Sequence, residues 1–477
     1  MKKENPSVFA VLVSVFFFWG FVAAGNDILI PVFKEALDLQ NWQSQLINFA
    51  FYLAYSVGAL LYLSHAKFTR KDIVSRIGYQ NSIALGLLVS ATGTLMFIPA
   101  AMYNSFFLLI TGLFIVGLGF SLQQTAANPF AIKLGNPSTG SQRLSLAGGI
   151  NNIGTTIGPI ILAYAIFGMV ADDVPAEVVE IGSVKTAYLY LGLAFFAVAL
   201  LFYLSGRKKN YFPGENEETK STDEKKEATR NLLNYPQLLL GMIGIFCYVG
   251  VEVATAGNLG AYIKDEVSGM GEKNIAPYVA LYWASLMIGR WVSAASIFAP
   301  KKNKNRHLLF KLLLPFAAFI LFLSVTHIAG YDVRSFYNYV FVIPIIIIAD
   351  LLSKDHPVTQ LLIFSLLGII SLLIGMFTSG LFSVFAFISV GLFCSTLWPC
   401  IFTLATHNLG TQTSKGSSFL VFMIMGGAFI SLFQGFLADV DWIGIRFSYF
   451  AGVFCFLYLA FYALKMKNIY TTHVENK

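Results

Sequence analysis

The sequence predicts an all-α polytopic membrane protein, two six-helix bundles with about two additional helices in the C-terminal half. Three observations carry that prediction. Of 477 residues, 56% are hydrophobic and 12% charged, and mean hydropathy is +0.69; a soluble domain averages about 25% charged. Apolar windows of about 20 residues recur along the chain, the length of a membrane-crossing helix rather than of a barrel strand. A charged segment poor in aromatics divides the series, with roughly six windows before it and eight after.

The elements follow in order. Lys2 and Lys3 ahead of the apolar run from Val8 have the look of a signal peptide. The run is longer than a usual signal core, and cleavage would remove the first of a regular series, so it reads as span one. The first bundle (1–205) then has spans at roughly 8–33, 43–64, 77–100, 106–134, 143–169 and 185–205. Residues 206–235, rich in Glu, Lys, Thr and Asn, read as a linker that cannot bury a core. The second bundle (236–477) has spans at roughly 236–264, 276–299, 308–328, 338–353, 358–378, 381–407, 415–437 and 445–465, with an inserted helical pair expected around 308–357. Window 338–353 is short and ends at Asp350, so a half-inserted hairpin competes with a full crossing there.

Loop charges set the orientation. Lys67, Arg70, Lys71, Arg76, Arg207, Lys208, Lys209, Lys301, Lys302, Lys304, Arg306, Lys465 and Lys467 fall on one side if the spans alternate. Asp172, Asp173, Glu177 and Glu180 fall on the other. Excess Lys and Arg marks the cytoplasm, which places both termini and the linker there. The net charge of +7 is what such loops produce and calls for no nucleic acid. Cys247, Cys394, Cys400 and Cys455 all lie in apolar segments without metal-ligand spacing, so neither a metal nor a disulfide framework is expected. No P-loop, dinucleotide fingerprint or HExxH motif is present, which removes ATP-driven and soluble-enzyme classes. No cofactor is expected.

The halves carry related features in the same order. Ala24-Gly25-Asn26 in span one matches Ala256-Gly257-Asn258 in the first span after the linker. Gly117-Leu118 through Leu134-Gly135 matches Gly391-Leu392 through Leu409-Gly410, each with a central proline, Pro129 and Pro399. Arg143 opens span five as Lys415 opens its counterpart. A parallel repeat of two six-helix halves is a transporter arrangement, with the solute bound near the midplane between them.

Polar groups inside the spans mark the candidate site. Asp27 lies well inside span one, where a carboxylate costs at least about 2.5 kcal/mol to insert. It is read as a proton-coupling or sugar-binding group, against the blander reading of a hydrated outer-end residue paired with a neighbour. Glu252 in span seven carries the same functional reading, against the blander one of a structural bond to a neighbouring helix. Gln124 and Asn128 are four apart on one helical face, and Asn151 and Asn152 lie in span five. Amides donate and accept as sugar hydroxyls do. With Asn26, Asn48, Asn258 and aromatics such as Tyr52, Tyr55, Tyr282, Trp283 and Trp398 they compose a hexose-type site. The competing role for each amide is glue between helices, at about 0.6 kcal/mol per bond. Arg290 and Arg143, towards the charged side, are read as gating or inter-helix residues.

Asn26-Asp27-Ile28-Leu29-Ile30-Pro31, Thr125-Ala126-Ala127-Asn128-Pro129-Phe130 and Gly416-Ser417-Ser418-Phe419 resemble the fucose–proton symporter family of the major facilitator superfamily. Tyr248-Val249-Gly250-Val251-Glu252-Val253 and Trp398-Pro399-Cys400-Ile401-Phe402 are similar to its glucose/galactose branch. The resemblance covers nearly the whole chain. It implies cation-coupled uptake of a hexose or deoxyhexose by a monomer, with Asp27 at the family's coupling aspartate and the proton favoured over sodium. Two departures stand out. Gln124, which cannot titrate, occupies the place of the family's glutamate, and this leaves open sodium-coupled or uncoupled transport of another neutral polar solute such as an amino sugar, or a non-transporting sugar sensor. Three windows stand where the family has one helix, between its eighth and tenth spans.

Overall fold

The computed structural model describes residues 6–69, 74, 77–134, 140–167, 184–208, 232–267, 270, 274–293, 304–354, 356–407, 409 and 413–474. All their regular structure is helical. In the first half, α1 (Pro6–Ala36), α2 (Leu46–Thr69), α3 (Tyr79–Leu95, continued by Phe97–Met102), α4 (Phe106–Lys133), α5 (Gly140–Phe167) and α6 (Val184–Lys208) run alternately across. The second half has α7 (Pro236–Glu266), α8 (Ala276–Ser293), α9 (Lys304–Ile328) and α10 (Ile343–Ser353, led in by a 3-10 stretch Arg334–Val342). It closes with α11 (Pro357–Phe377), α12 (Gly380–Cys394, then Leu397–Ala405), α13 (Thr413–Phe422 through Gly426–Ala438) and α14 (Phe450–Val474). The acidic loop at 172–180 and the linker at 209–231 lie outside the described residues.

Local chemistry explains the boundaries. Proline at the first helical turn opens α7 and α11, where its missing N–H would have no partner anyway. The Ser105 hydroxyl accepts from Leu108 N at the start of α4. Lys354, at φ 52°, ends α10 in the left-handed region. Among the described residues, twelve of the helical segments are long and apolar enough to cross a membrane, including 334–353 as one crossing. The two long helices left out are α5 and α8, which carry Asn151, Asn152, Thr155 and Thr156, and Tyr282, Trp283, Ser285 and Arg290. These two pack on each other across the junction of the halves. Polar side chains that would be costly against lipid are thus turned inward.

The packing repeats between halves. α1 lies on α5 as α7 lies on α13, and α2 on α4 as α8 on α12. The last pair depends on glycine. A Cβ on Gly117 of α4 would come within 2.5 Å of the Phe51 carbonyl of α2, and one on Gly391 of α12 within 2.5 Å of the Tyr282 carbonyl of α8. The matched Gly-Leu pairs in the sequence therefore occupy matched contacts. α3 packs on α4 and α6, and α11 packs on α12 and α14. By packing, α11 is the counterpart of α3, which leaves α9 and α10 as the additional pair, docked against α8.

Candidate functional site

The site grows from two interruptions in apolar helices. Pro399 has no N–H, so the carbonyl four residues earlier, Ser395, loses its helical donor. α12 breaks there, between Cys394 and Leu397. The Arg290 guanidinium of α8 supplies the missing donor, Nε to Ser395 O at 3.1 Å. Its Nη1 reaches across the junction to Asn152 Oδ1 of α5 at 2.9 Å. Asn152 is buried, and its Nδ2 has no partner among the described residues, nor do the hydroxyls of Ser395 and Thr396.

The second interruption is charge. Asp27 of α1 is 3% exposed, and Trp283 Nε1 of α8 donates to its Oδ2 at 2.8 Å. One carboxyl oxygen is therefore held by the opposite half. Glu252 of α7 accepts from the Tyr248 hydroxyl one turn earlier, while Tyr282 Oη donates to the Glu252 carbonyl at 2.8 Å. Arg290 lies within electrostatic range of Glu252, and the phenol of Tyr52 within range of both Asp27 and Glu252. The two acids thus share one neighbourhood, lined by Tyr52, Tyr248, Tyr282 and Arg290.

Amides reach this neighbourhood unevenly. Gln124 Nε2 donates to Tyr55 Oη at 3.3 Å, and Tyr55 stacks on Tyr52 at 6.2 Å, so Gln124 joins the wall. Asn128, one turn further along α4, is half-buried and makes no side-chain hydrogen bond among the described residues. Asn151 Nδ2 donates to Phe16 O at 2.8 Å and ties α5 to α1. Trp398, half-buried after the α12 break, has its ring 6.1 Å from that of Tyr248. The side chains of Asn26 and Arg143 lie outside the described residues.

Asn48 and Asn258 stand elsewhere, on the side of the bundle where α1 ends and α2 begins. Gln45 Nε2 donates to Gly257 O at 3.1 Å and to Asn258 Oδ1 at 3.4 Å. Asn48 Nδ2 donates to Gln45 Oε1 at 3.3 Å. Further out, the Asp439 carboxylate of α13 accepts from Asn41 N, Asn41 Nδ2 and Trp42 N at 3.0, 2.7 and 2.8 Å. Trp42 stacks on Phe436 at 5.1 Å. These contacts join the halves and seal this far side.

Sequence reading missed Gln45 and Asp439, which lie at helix ends where polar residues are ordinary. Gln123, which opens the polar stretch running to Phe130 that the sequence marks as one wall of the site, serves a different end. Gln123 is fully buried, accepts from Trp19 Nε1 at 2.8 Å and donates to Ser90 Oγ at 2.9 Å. It is glue inside the first half, while its neighbour Gln124 turns to the site.

The Major Facilitator Superfamily model matches residues 11–353. The chain is 33% identical over 464 residues to the glucose/galactose transporter of Brucella abortus biovar 1 (strain 9-941), covering 97% of this chain and 95% of that protein. It is 26% identical over 453 residues to the L-fucose-proton symporter of Escherichia coli (strain K12), covering 90% and 86%. The solved structure of FucP, a Major Facilitator Superfamily transporter in the outward conformation, superposes with a TM-score of 0.61 at 26% identity, covering 96% of this chain and 98% of that one. Fold and family point to a secondary transporter of a small polar solute rather than an enzyme. The chain belongs to the major facilitator superfamily, in the sugar-transporter branch related to the glucose/galactose transporters and the fucose–proton symporters.

Proposed function

We propose that this protein carries a hexose-type sugar, of the glucose, galactose or fucose class, across the bacterial inner membrane by alternating access, driven by protons. One observation carries the reading: a buried carboxyl, Asp27, bonded across the junction of the halves to Trp283. A carboxyl in that position changes its hold on the opposite half when it gains or loses a proton, which is the linkage a symporter needs. Gln124, Asn128, Asn151, Asn152 and Asn26 supply hydroxyl-matching amides, and Trp398 an apolar face for the ring. Asn48 and Asn258 reach the solute when the far-side seal opens. Because Gln124 does not titrate, coupling falls on Asp27 and Glu252, with Arg290 and Arg143 as gating groups. Both termini face the cytoplasm, which makes the sealed far side the outer one, and the protein acts as a monomer.

The names of the relatives support a sugar as solute. The test is uptake into energised vesicles by wild type and Asp27→Asn. The variant should lose accumulation against a gradient and retain sugar exchange. Full proton-driven accumulation by Asp27→Asn removes Asp27 from coupling.

A further inference from the structure

Behind the solute site, away from both acids, four helices of the second half meet at one carboxylate, and a fifth is tied to it through Gln360. Lys311 Nζ of α9 and Asp350 Oδ2 of α10 pair at 2.6 Å, with side chains 4% and 1% exposed. The other oxygen, Oδ1, accepts from Ser293 Oγ of α8 at 2.9 Å and from Gln360 Nε2 of α11 at 3.0 Å. With its nitrogen committed to the carboxylate, the Gln360 amide has only one orientation left. Its Oε1 accepts from the Cys400 thiol at 3.3 Å.

Cys400 sits on the second segment of α12, next to Pro399 and two residues after Trp398. That segment begins at a break, so its direction is not set by helix continuity. Arg290 holds the break from the solute side through the Ser395 carbonyl. The Gln360–Cys400 bond holds it from the rear. The ion pair that orients Gln360 comes from α9 and α10, the helices with no counterpart in the first half.

We propose that Lys311, Asp350 and Gln360 are positioning residues: the additional helices form a rear clamp that fixes where the Leu397–Ala405 segment, and Trp398 with it, stands against the solute. A structural anchor alone would need the ion pair but not the onward link through Gln360 to a thiol on the broken helix. The consequence for transport rests on the proposed role of Trp398; the clamp itself does not.

The test uses the full-length protein in membrane vesicles with Cys247, Cys394 and Cys455 replaced by serine, leaving Cys400 as the single thiol. N-ethylmaleimide alkylation of Cys400 is timed with Gln360 intact, with Gln360→Leu, and with the charge-free pair Lys311→Met/Asp350→Leu, which avoids stranding one buried charge and removes the acceptor that orients Gln360. Both variants should be alkylated faster by about threefold or more, the effect of one lost hydrogen bond. In the native-cysteine background Gln360→Leu should raise the KM for sugar while Vmax per transporter stays within about twofold. Cys400→Ser, which keeps a donor, should behave as wild type, and Cys400→Ala as Gln360→Leu. Unchanged alkylation and unchanged KM in Gln360→Leu overturn the clamp. So does a fall in protein amount alone, with the surviving protein kinetically normal. Faster alkylation in a protein that moves no sugar even when unmutated supports the clamp and overturns the transport reading instead.

Discussion

Replacing Asp439 with alanine should open the far side. This carboxylate, on α13 of the second half, caps the one-turn helix Asn41–Ser44 of the first half through three N–H groups at 3.0, 2.7 and 2.8 Å. Deleting a capping acceptor costs about 0.5–2 kcal/mol, and because these groups are solvent-exposed the lower half of that range applies, about 1 kcal/mol. The ratio of sealed to open molecules should fall about fivefold. The Trp42–Phe436 stack and the Gln45–Asn258 bonds remain, so the seal weakens without disappearing. Spin labels at Tyr103 and Trp442, 74% and 83% exposed on the two halves, would report the distance distribution across the opening. A longer-distance population should grow in Asp439→Ala, and sugar added from the far side should bind more tightly. A distribution matching wild type in both Asp439→Ala and Asp439→Asn would refute the reasoning.

Four further outcomes follow from the same geometry. Gly257→Ala places a Cβ about 2.4 Å from Asn48 Nδ2 and 3.0 Å from Gln45 Oε1, so both amides must shift and the seal weakens; net uptake should fall while sugar binding persists, as read by uptake beside equilibrium binding. Arg290→Met removes the donors to Ser395 O and Asn152 Oδ1 and should lower Vmax by about tenfold or more in uptake assays, since two buried acceptors are left unpaired. Lys311→Met alone strands buried Asp350 and should destabilise by about 3–5 kcal/mol, seen as poor yield and a lowered melting temperature, with recovery in Lys311→Met/Asp350→Leu. Gln124→Leu breaks the bond to Tyr55 and should raise the sugar KM with little change in the dependence on the proton gradient.

The fold was legible because bilayer crossing imposes length and apolarity on each segment separately, so no tertiary knowledge was needed to count them. Even α5 and α8, which carry several polar side chains, stood among those windows. The additional helices were visible as windows, and the short one is long and apolar enough to cross because a 3-10 stretch, Arg334–Val342, extends it. The acids Asp27 and Glu252 were legible for the same reason: a carboxyl in hydrocarbon has few explanations. The amides were less so. Gln123 and Gln124 are adjacent and chemically identical, and only the 100° between them on a helix sends one into the first half and the other to Tyr55. Asn48 and Asn258 stood out as amides within the spans, but nothing in the sequence showed that both are buried together with Gln45 in the seal. Asp439 and Gln45 carried no signal, since polar residues at helix ends are the rule and their partners lie some 200 to 400 positions away.

The central claim is that Asp27 couples proton movement to sugar movement between the two halves. The most direct measurement is uptake of radiolabelled glucose, galactose and fucose into proteoliposomes, with pH and sodium gradients imposed separately, for wild type and Asp27→Asn. The account predicts that wild type accumulates at least one of these sugars under the pH gradient alone and that Asp27→Asn exchanges the same sugar without accumulating it. Accumulation under the sodium gradient alone, or undiminished proton-driven accumulation by Asp27→Asn, would contradict it.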